Sequence, residues 1–205
     1  MQKDNSSLSI LNFLFEVGHL KQLPRSGWFK IGINAPESIG EHSFRTAIIG
    51  YILAKEEGVD VAKTTFCCLF HDLAEARTSD LDWLAQNYFN KEDYMDKKVL
   101  REQISGLPDE LEEDLAELLC LEEKNEEIQK VVRDADLLEA ALQGIEYTVS
   151  GNEQAVEWIK SSADLLRTST GKSLGKEITK YLENDDLKSL ARWWSNLMID
   201  QSSKK

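Results

Sequence analysis

Along most of this chain apolar residues recur at spacings of three and four, which is the signature of amphipathic helices, and alternating β-branched runs are scarce. Leu11, Leu14, Phe15 and Gly18 follow that spacing and predict a first helix with these residues on its inner face. The stretch "LPRSGWFKIGINAP", bracketed by Pro24 and Pro36, reads as an irregular loop. Ser38 with Glu41 three residues on forms a capping box, so a helix should start near Ile39 and stop at Gly58. Asp60 can cap the next helix, expected to run through Phe66 and Leu69 to about Ala76. Further helices are expected in "LDWLAQNYF", "EDYMDKKVLREQI", "DELEEDLAELLCLEE", "EQAVEWIKSSADLL" and "LKSLARWWSNLMI". "NEEIQKVVRDADLLEAALQGIEYTV" predicts one long helix ending near Gly151. The expected fold is all-α, a single compact helical domain over residues 1–205 that includes the C-terminal helices in 152–200.

Charge narrows the function. With 24 basic and 37 acidic residues the formal net charge is -13, which argues against coating long DNA or RNA. A small phosphorylated ligand stays admissible if an arginine or a metal ion offsets the acidic field. No apolar run approaches the roughly 20 residues of a membrane span. The opening "MQKDNSSLSI" lacks a basic start followed by an apolar segment, so no secretory signal is expected and cytoplasm is the default. Three cysteines, Cys67 and Cys68 adjacent among them, read as small buried residues of a reducing compartment rather than a disulfide framework. "TGKS" (170–173) looks like the tail of a phosphate-binding loop, but Leu166 stands where that motif requires glycine and no strand precedes it. "ELEED" and "LEEKNEE" read as solvated helix faces, and Trp193 and Trp194 as core or a partner surface.

The chemistry concentrates in "CCLFHDLAEARTSD", where an oily run turns ionic. On a helix advancing about 100° per residue, Asp72 lies about 100° and Glu75 about 40° from His71, one shared arc. His42 sits in the first turn of the capped helix, while His19 reads as an ordinary helix-end residue. Asp134, Asp136 and Glu139 interrupt the apolar run "VVRDADLLEAAL". Glu139 falls about 20° and Asp136 about 80° from Ile128 on the buried side. Carboxylates there are costly unless paired or bound to metal. Asp134 could instead cap a helix, or pair with Arg133 or Arg77. Two histidines and two aspartates from three helices suit a borderline divalent ion with open coordination positions.

The order of these parts resembles the HD-domain metal-dependent phosphohydrolases: a histidine, a distant His-Asp pair, then a distant aspartate. "LPRSGW", "PESIGEHSFRTA", "LFHDLAEARTSD" and "RDADLLEAALQGIEY" are similar to the 5′-deoxynucleotidase-like branch, over roughly residues 10–147. The resemblance implies one divalent ion (Co²⁺, Mn²⁺ or Mg²⁺) on His42, His71, Asp72 and Asp136. It implies Glu75 as the catalytic glutamate and Asp80 as a second acidic residue beside the metal-bound water. It also implies Arg25 on the substrate phosphate, Trp28 crowding the sugar 2′ position, and a homodimer. The reaction implied is hydrolysis of (deoxy)nucleoside 5′-monophosphates to nucleoside and phosphate. Alternatives are the same centre acting on a nucleoside triphosphate or cyclic nucleotide, or a non-catalytic, metal-stabilised helical regulatory module. Two departures stand out: Arg25 and Trp28 are separated by two residues where some members have them adjacent, and Ser79 replaces a family glycine.

Overall fold

A computed structural model describes residues 3–88, 93–119 and 125–193. Its helices are α1 (Lys3–His19), α2 (Ile39–Glu57), α3 (Val61–Phe70), α4 (Glu75–Thr78), α5 (Trp83–Gln86) and α6 (Asp93–Ile104). They continue with α7 (Asp109–Leu118), α8 (Glu126–Val149), α9 (Val156–Leu165), α10 (Ser169–Glu183) and α11 (Leu187–Ala191). Short 3₁₀ turns occupy Ser26–Ile31 and Glu153–Ala155. Among the described residues the only β pairing is an isolated bridge between Pro24 and Ser38, so the fold is all-α as expected. No helix among them is long and apolar enough to cross a membrane.

Local signals act where they were read. Both bonds of the Ser38–Glu41 capping box form, Gly58 ends α2 at φ 73°, and Asp60 accepts the Lys63 N–H. The loop after Pro24 is less irregular than expected, because it contains the Ser26–Ile31 turn. Parts of the expected helices at 89–92, 120–124 and 194–200, with Trp194, lie outside the described residues; Trp193 is exposed.

Three expectations need correction. α3 stops at Phe70 instead of reaching Ala76. Beyond it the backbone tightens: Leu73, Glu75, Ala76 and Arg77 donate to the carbonyls three residues back. In such winding residues three apart eclipse one another, so Asp72 and Glu75 share a face. The second correction concerns α1. Leu11, Leu14 and Phe15 are exposed, and Ile10, Phe13 and Val17 dock instead. Both faces of α1 carry apolar residues, so polar contacts decide its rotation: Glu16 accepts from Arg77 Nη2 (3.0 Å) and Gln103 Nε2 (2.9 Å). Third, Cys67 is disulfide-bonded rather than a free thiol, while Cys68 is free, buried, and raised by that burial to about 12.

The interior falls into two main apolar clusters. The larger joins α2, α3, α8, α9, α10 and α11 through Leu53, Cys68, Leu138, Ile159, Ile178 and Leu187. There α2 and α3 approach so closely that a Cβ on Gly50 would lie 2.3 Å from Cys68 Sγ. The other gathers α1, α6 and α7 around Ile39 and Leu73.

Asp134 ties the C-terminal helices to α8. Fully buried, it accepts the Arg167 N–H (2.9 Å), the Thr168 N–H (2.8 Å) and the Thr168 hydroxyl (2.7 Å) just before α10. It is therefore neither the cap nor an arginine's partner: it braces Thr168, which is itself the N-cap of α10, while Arg133 and Arg77 find other partners. The "TGKS" glycine belongs to this junction too: a Cβ on Gly171 would sit 2.4 Å from Asp134 Oδ2. Asp134→Ala strands two backbone donors and should lower unfolding free energy by about 3 kcal/mol, measured by chemical denaturation.

Candidate active site

The ionic residues stand where the chain crosses from one apolar cluster to the other. On α2, His42 lies between Ile39 of one cluster and Ala47 of the other. After α3, His71 and Asp72 lie between Cys68 and Leu73 in the same way. The oily half of "CCLFHDLAEARTSD" thus anchors in one core, and its ionic part occupies the seam.

At that seam four donor atoms converge. His42 Nε2 is 3.3 Å from His71 Nε2, 3.7 Å from Asp72 Oδ2 and 3.4 Å from Asp136 Oδ1. His71 Nε2 is 3.3 Å from Asp72 Oδ2 and 4.0 Å from Asp136 Oδ1. Both imidazoles use Nδ1 elsewhere, His42 toward Glu139 Oε2 (2.5 Å) and His71 toward the Cys68 carbonyl (2.8 Å). Each Nε2 is therefore turned inward. These spacings suit neighbouring ligands on a small divalent ion with bonds of about 2.0–2.2 Å. A mixed imidazole and carboxylate set is also what such ions bind.

Arg25 reaches the cluster from the loop before the 3₁₀ turn. Its Nη1 donates to Asp72 Oδ2 (3.0 Å) and lies 3.7 Å from Asp80 Oδ1, and its Nη2 lies 3.7 Å from Asp136 Oδ1. Burial works against the guanidinium charge, but Asp72, Asp80, Asp136 and Glu75 outweigh it and raise its pKa. Asp136 shows the opposite balance. Burial favours its neutral form, yet His42, His71 and Arg25 hold it well below the usual carboxylate range. His42 is pulled down by burial and Arg25, and carried up to about 10 by Asp136 and Glu139.

Asp80 is held by the Ser26 N–H (2.5 Å). The residue before it, Ser79, adopts φ 62° and ψ 163°, a conformation almost reserved for glycine. The backbone here takes a glycine-like turn although the residue is serine.

A cleft of about 650 Å³ opens over the donors. Arg25, Trp28, Asp72, Glu75, Asp80 and Asp136 all line it, so the expected site residues gather with His42 and His71 in one place. Trp28 is only 3% exposed: its Nε1–H donates to Glu37 (3.0 Å), and its ring packs on Tyr147 and Trp158 at 5.0 and 5.4 Å. Glu37 itself is raised to about 8 by burial and by Glu139.

Sequence reasoning put Glu139 on the buried side of its helix without a role, offered Arg133 to Asp134 instead of Asp136, and did not reach the α9 wall. Glu139, fully buried, bridges His42 to Arg45, whose Nη2 is 2.7 Å from Glu139 Oε1. Such an outer carboxylate fixes a ligand imidazole's tautomer and direction. Its signal was present, since Glu139 lies on the buried stripe of α8 three residues after Asp136. Arg133 donates to the other oxygen of Asp136 (2.7 Å). Trp158, Ser161 and Leu165 show that α9 completes the cleft wall, which nothing local in the sequence announces.

Comparison with known proteins agrees with this arrangement. Residues 17–177 match the family model described as HD domain, so the likeness extends past residue 147 into the C-terminal helices. The 5′-deoxynucleotidase HDDC2 of Homo sapiens is 32% identical over 141 residues, 68% of each chain. The 5′-deoxynucleotidase hdd1 of Schizosaccharomyces pombe is 29% identical over 198 residues, covering 93% of this chain and 95% of the relative. A solved structure, a conserved hypothetical protein from Pyrococcus furiosus, is 29% identical with a TM-score of 0.68, covering 83% of this chain and 99% of that one.

The Ser79 backbone supplies a local test. Ser79→Gly should raise unfolding free energy by about 1 kcal/mol, read from the denaturation midpoint, because the positive φ no longer carries a Cβ.

Proposed function

This chain belongs to the HD-domain family, and we propose that within it the protein is a metal-dependent phosphohydrolase acting on (deoxy)nucleoside 5′-monophosphates. The observation that carries this reading is the convergence of four donors, the two imidazole Nε2 atoms lying 3.3–4.0 Å from each other and from both carboxylates, beside a guanidinium in an open cleft. His42, His71, Asp72 and Asp136 would hold one divalent ion. Bound there, it would make water more acidic and neutralise phosphate oxygens. Two imidazoles among the donors favour Mn²⁺ or Co²⁺ over the more strictly oxygen-seeking Mg²⁺.

The remaining roles fall to this chain's own side chains. Arg25 offers a planar fork to the phosphate dianion and supplies positive charge inside an acidic protein. Glu75 receives the proton of the attacking water as its oxygen joins phosphorus; the bond from phosphorus to the nucleoside 5′-oxygen breaks, and the proton is passed on so that this oxygen leaves as a hydroxyl. Asp80, steadied by Ser26, is the second acidic group at that water. Trp28, clamped between Tyr147 and Trp158, forms an unyielding wall against the sugar and favours deoxyribose. We read residues 1–205 as one domain, since the C-terminal helices share the larger apolar cluster with α2 and α8. Cytoplasmic placement loses the support of cysteine usage and rests on the nucleotide substrate alone.

A panel of Mn²⁺, Co²⁺ and Mg²⁺ against dAMP and AMP, on metal-stripped protein, tests the reading. Turnover should require added metal and favour dAMP; equal kcat/KM on the two would remove Trp28 from selectivity. Glu75→Gln should bind metal normally yet lose at least about 100-fold in kcat, whereas Asp72→Ala should lose metal and activity together.

Homodimerisation belongs to the same reading. Phe44, Ile48, Tyr51 and Ile52 form an exposed apolar stripe along α2, and we place a second copy of the chain on it. Ile48→Glu should convert a dimer to a monomer in analytical ultracentrifugation; an unchanged mass would move the interface elsewhere.

A further inference from the structure

The cleft is lined by two unlike sets of residues. One gathers Arg25 and the carboxylates around the donor cluster. The other comprises Leu81, Trp83, Leu137, Ala140, Trp158 and Leu165. Trp83 is conspicuous there because it lines the cleft and is still 60% exposed, against 3% for Trp28. Leaving so large an aromatic surface in water gains nothing for folding.

Its mounting is fixed. Asp82 caps α5 by accepting the Leu84 and Ala85 N–H groups, at 2.9 and 3.1 Å, and pairs with Lys30 at 2.9 Å. From Asp80, beside Arg25, three residues of chain reach at most about 10 Å to Trp83, a span comparable to a nucleotide from phosphate to base. Two polar residues of the cleft wall are engaged within the protein: Gln86 Nε2 donates to the Leu81 carbonyl, and Glu157 lies 3.6 Å from Lys160 Nζ.

Resting on the nucleotidase reading, we propose that the Trp83 indole is the surface on which the substrate's nucleobase stacks. Stacking recognises the π-face that every base possesses, so loss of Trp83 should weaken binding of all nucleotides in the same way.

The test compares wild type, Trp83→Ala and Trp83→Phe on dAMP, dGMP, dCMP, dTMP and on deoxyribose 5-phosphate, which has no base. Trp83→Ala should lose about 10- to 100-fold in kcat/KM on all four nucleotides, mostly through KM. It should match wild type on deoxyribose 5-phosphate, and Trp83→Phe should recover most of the loss. Unchanged nucleotide kinetics in Trp83→Ala, or an equal loss on the baseless substrate, would overturn the inference. Absence of wild-type turnover on all five substrates with metal present would overturn the nucleotidase reading and the inference with it.

Discussion

A carboxylate withdrawn from water needs a partner, and α8 withdraws three. Asp134 is answered by backbone N–H groups and a hydroxyl before α10. Asp136 is answered by His42, Arg25 and Arg133. Glu139 is answered by His42 and Arg45. Apart from Arg133, which is on α8 itself, these partners come from elsewhere in the chain, so balancing the charges brings the Arg25 loop, α2 and the C-terminal helices onto one helix. Apolar burial supplies most of the driving force; the three carboxylates decide how the parts are aligned.

The same bookkeeping explains how so acidic a chain can receive an anion. Arg25 is enclosed by Asp72, Asp80 and Asp136, which keep it charged despite burial. The overall charge of -13 sets the field at a distance, while in the cleft Arg25, together with a divalent ion when one is bound, would supply the positive charge an anion needs. Local arrangement, not net charge, governs what binds there.

Much of this was readable from residue order because the signals are short-range. The capping box at Ser38, the stop at Gly58 and the buried stripe of α8 need only neighbours to act. His42 and Asp136 fall into place because α2 and α8 carry stripes that the sequence shows, whereas Arg25, Asp80 and the His71–Asp72 pair lie on a loop, a turn and a tightened segment that periodicity does not describe. What was not legible depends on distant partners. The rotation of α1 is chosen by Glu16 against Arg77 and Gln103. The end of α3 at Phe70 lies where the chain leaves one core for the other, a boundary no local periodicity marks. The α9 wall and the outer role of Glu139 likewise depend on where whole helices settle.

Asp134 and Asp136 are two residues apart, so the clamp on the C-terminal helices and the donor cluster share one turn of α8. The groups that grip Asp134 lie 33 and 34 residues further along the chain. A ribosome that has just released α8 has therefore made every donor atom but not the brace that holds the turn carrying Asp136. The order of synthesis thus separates the making of the donor set from the making of its brace, and docking of the segment before α10 is the step that joins them.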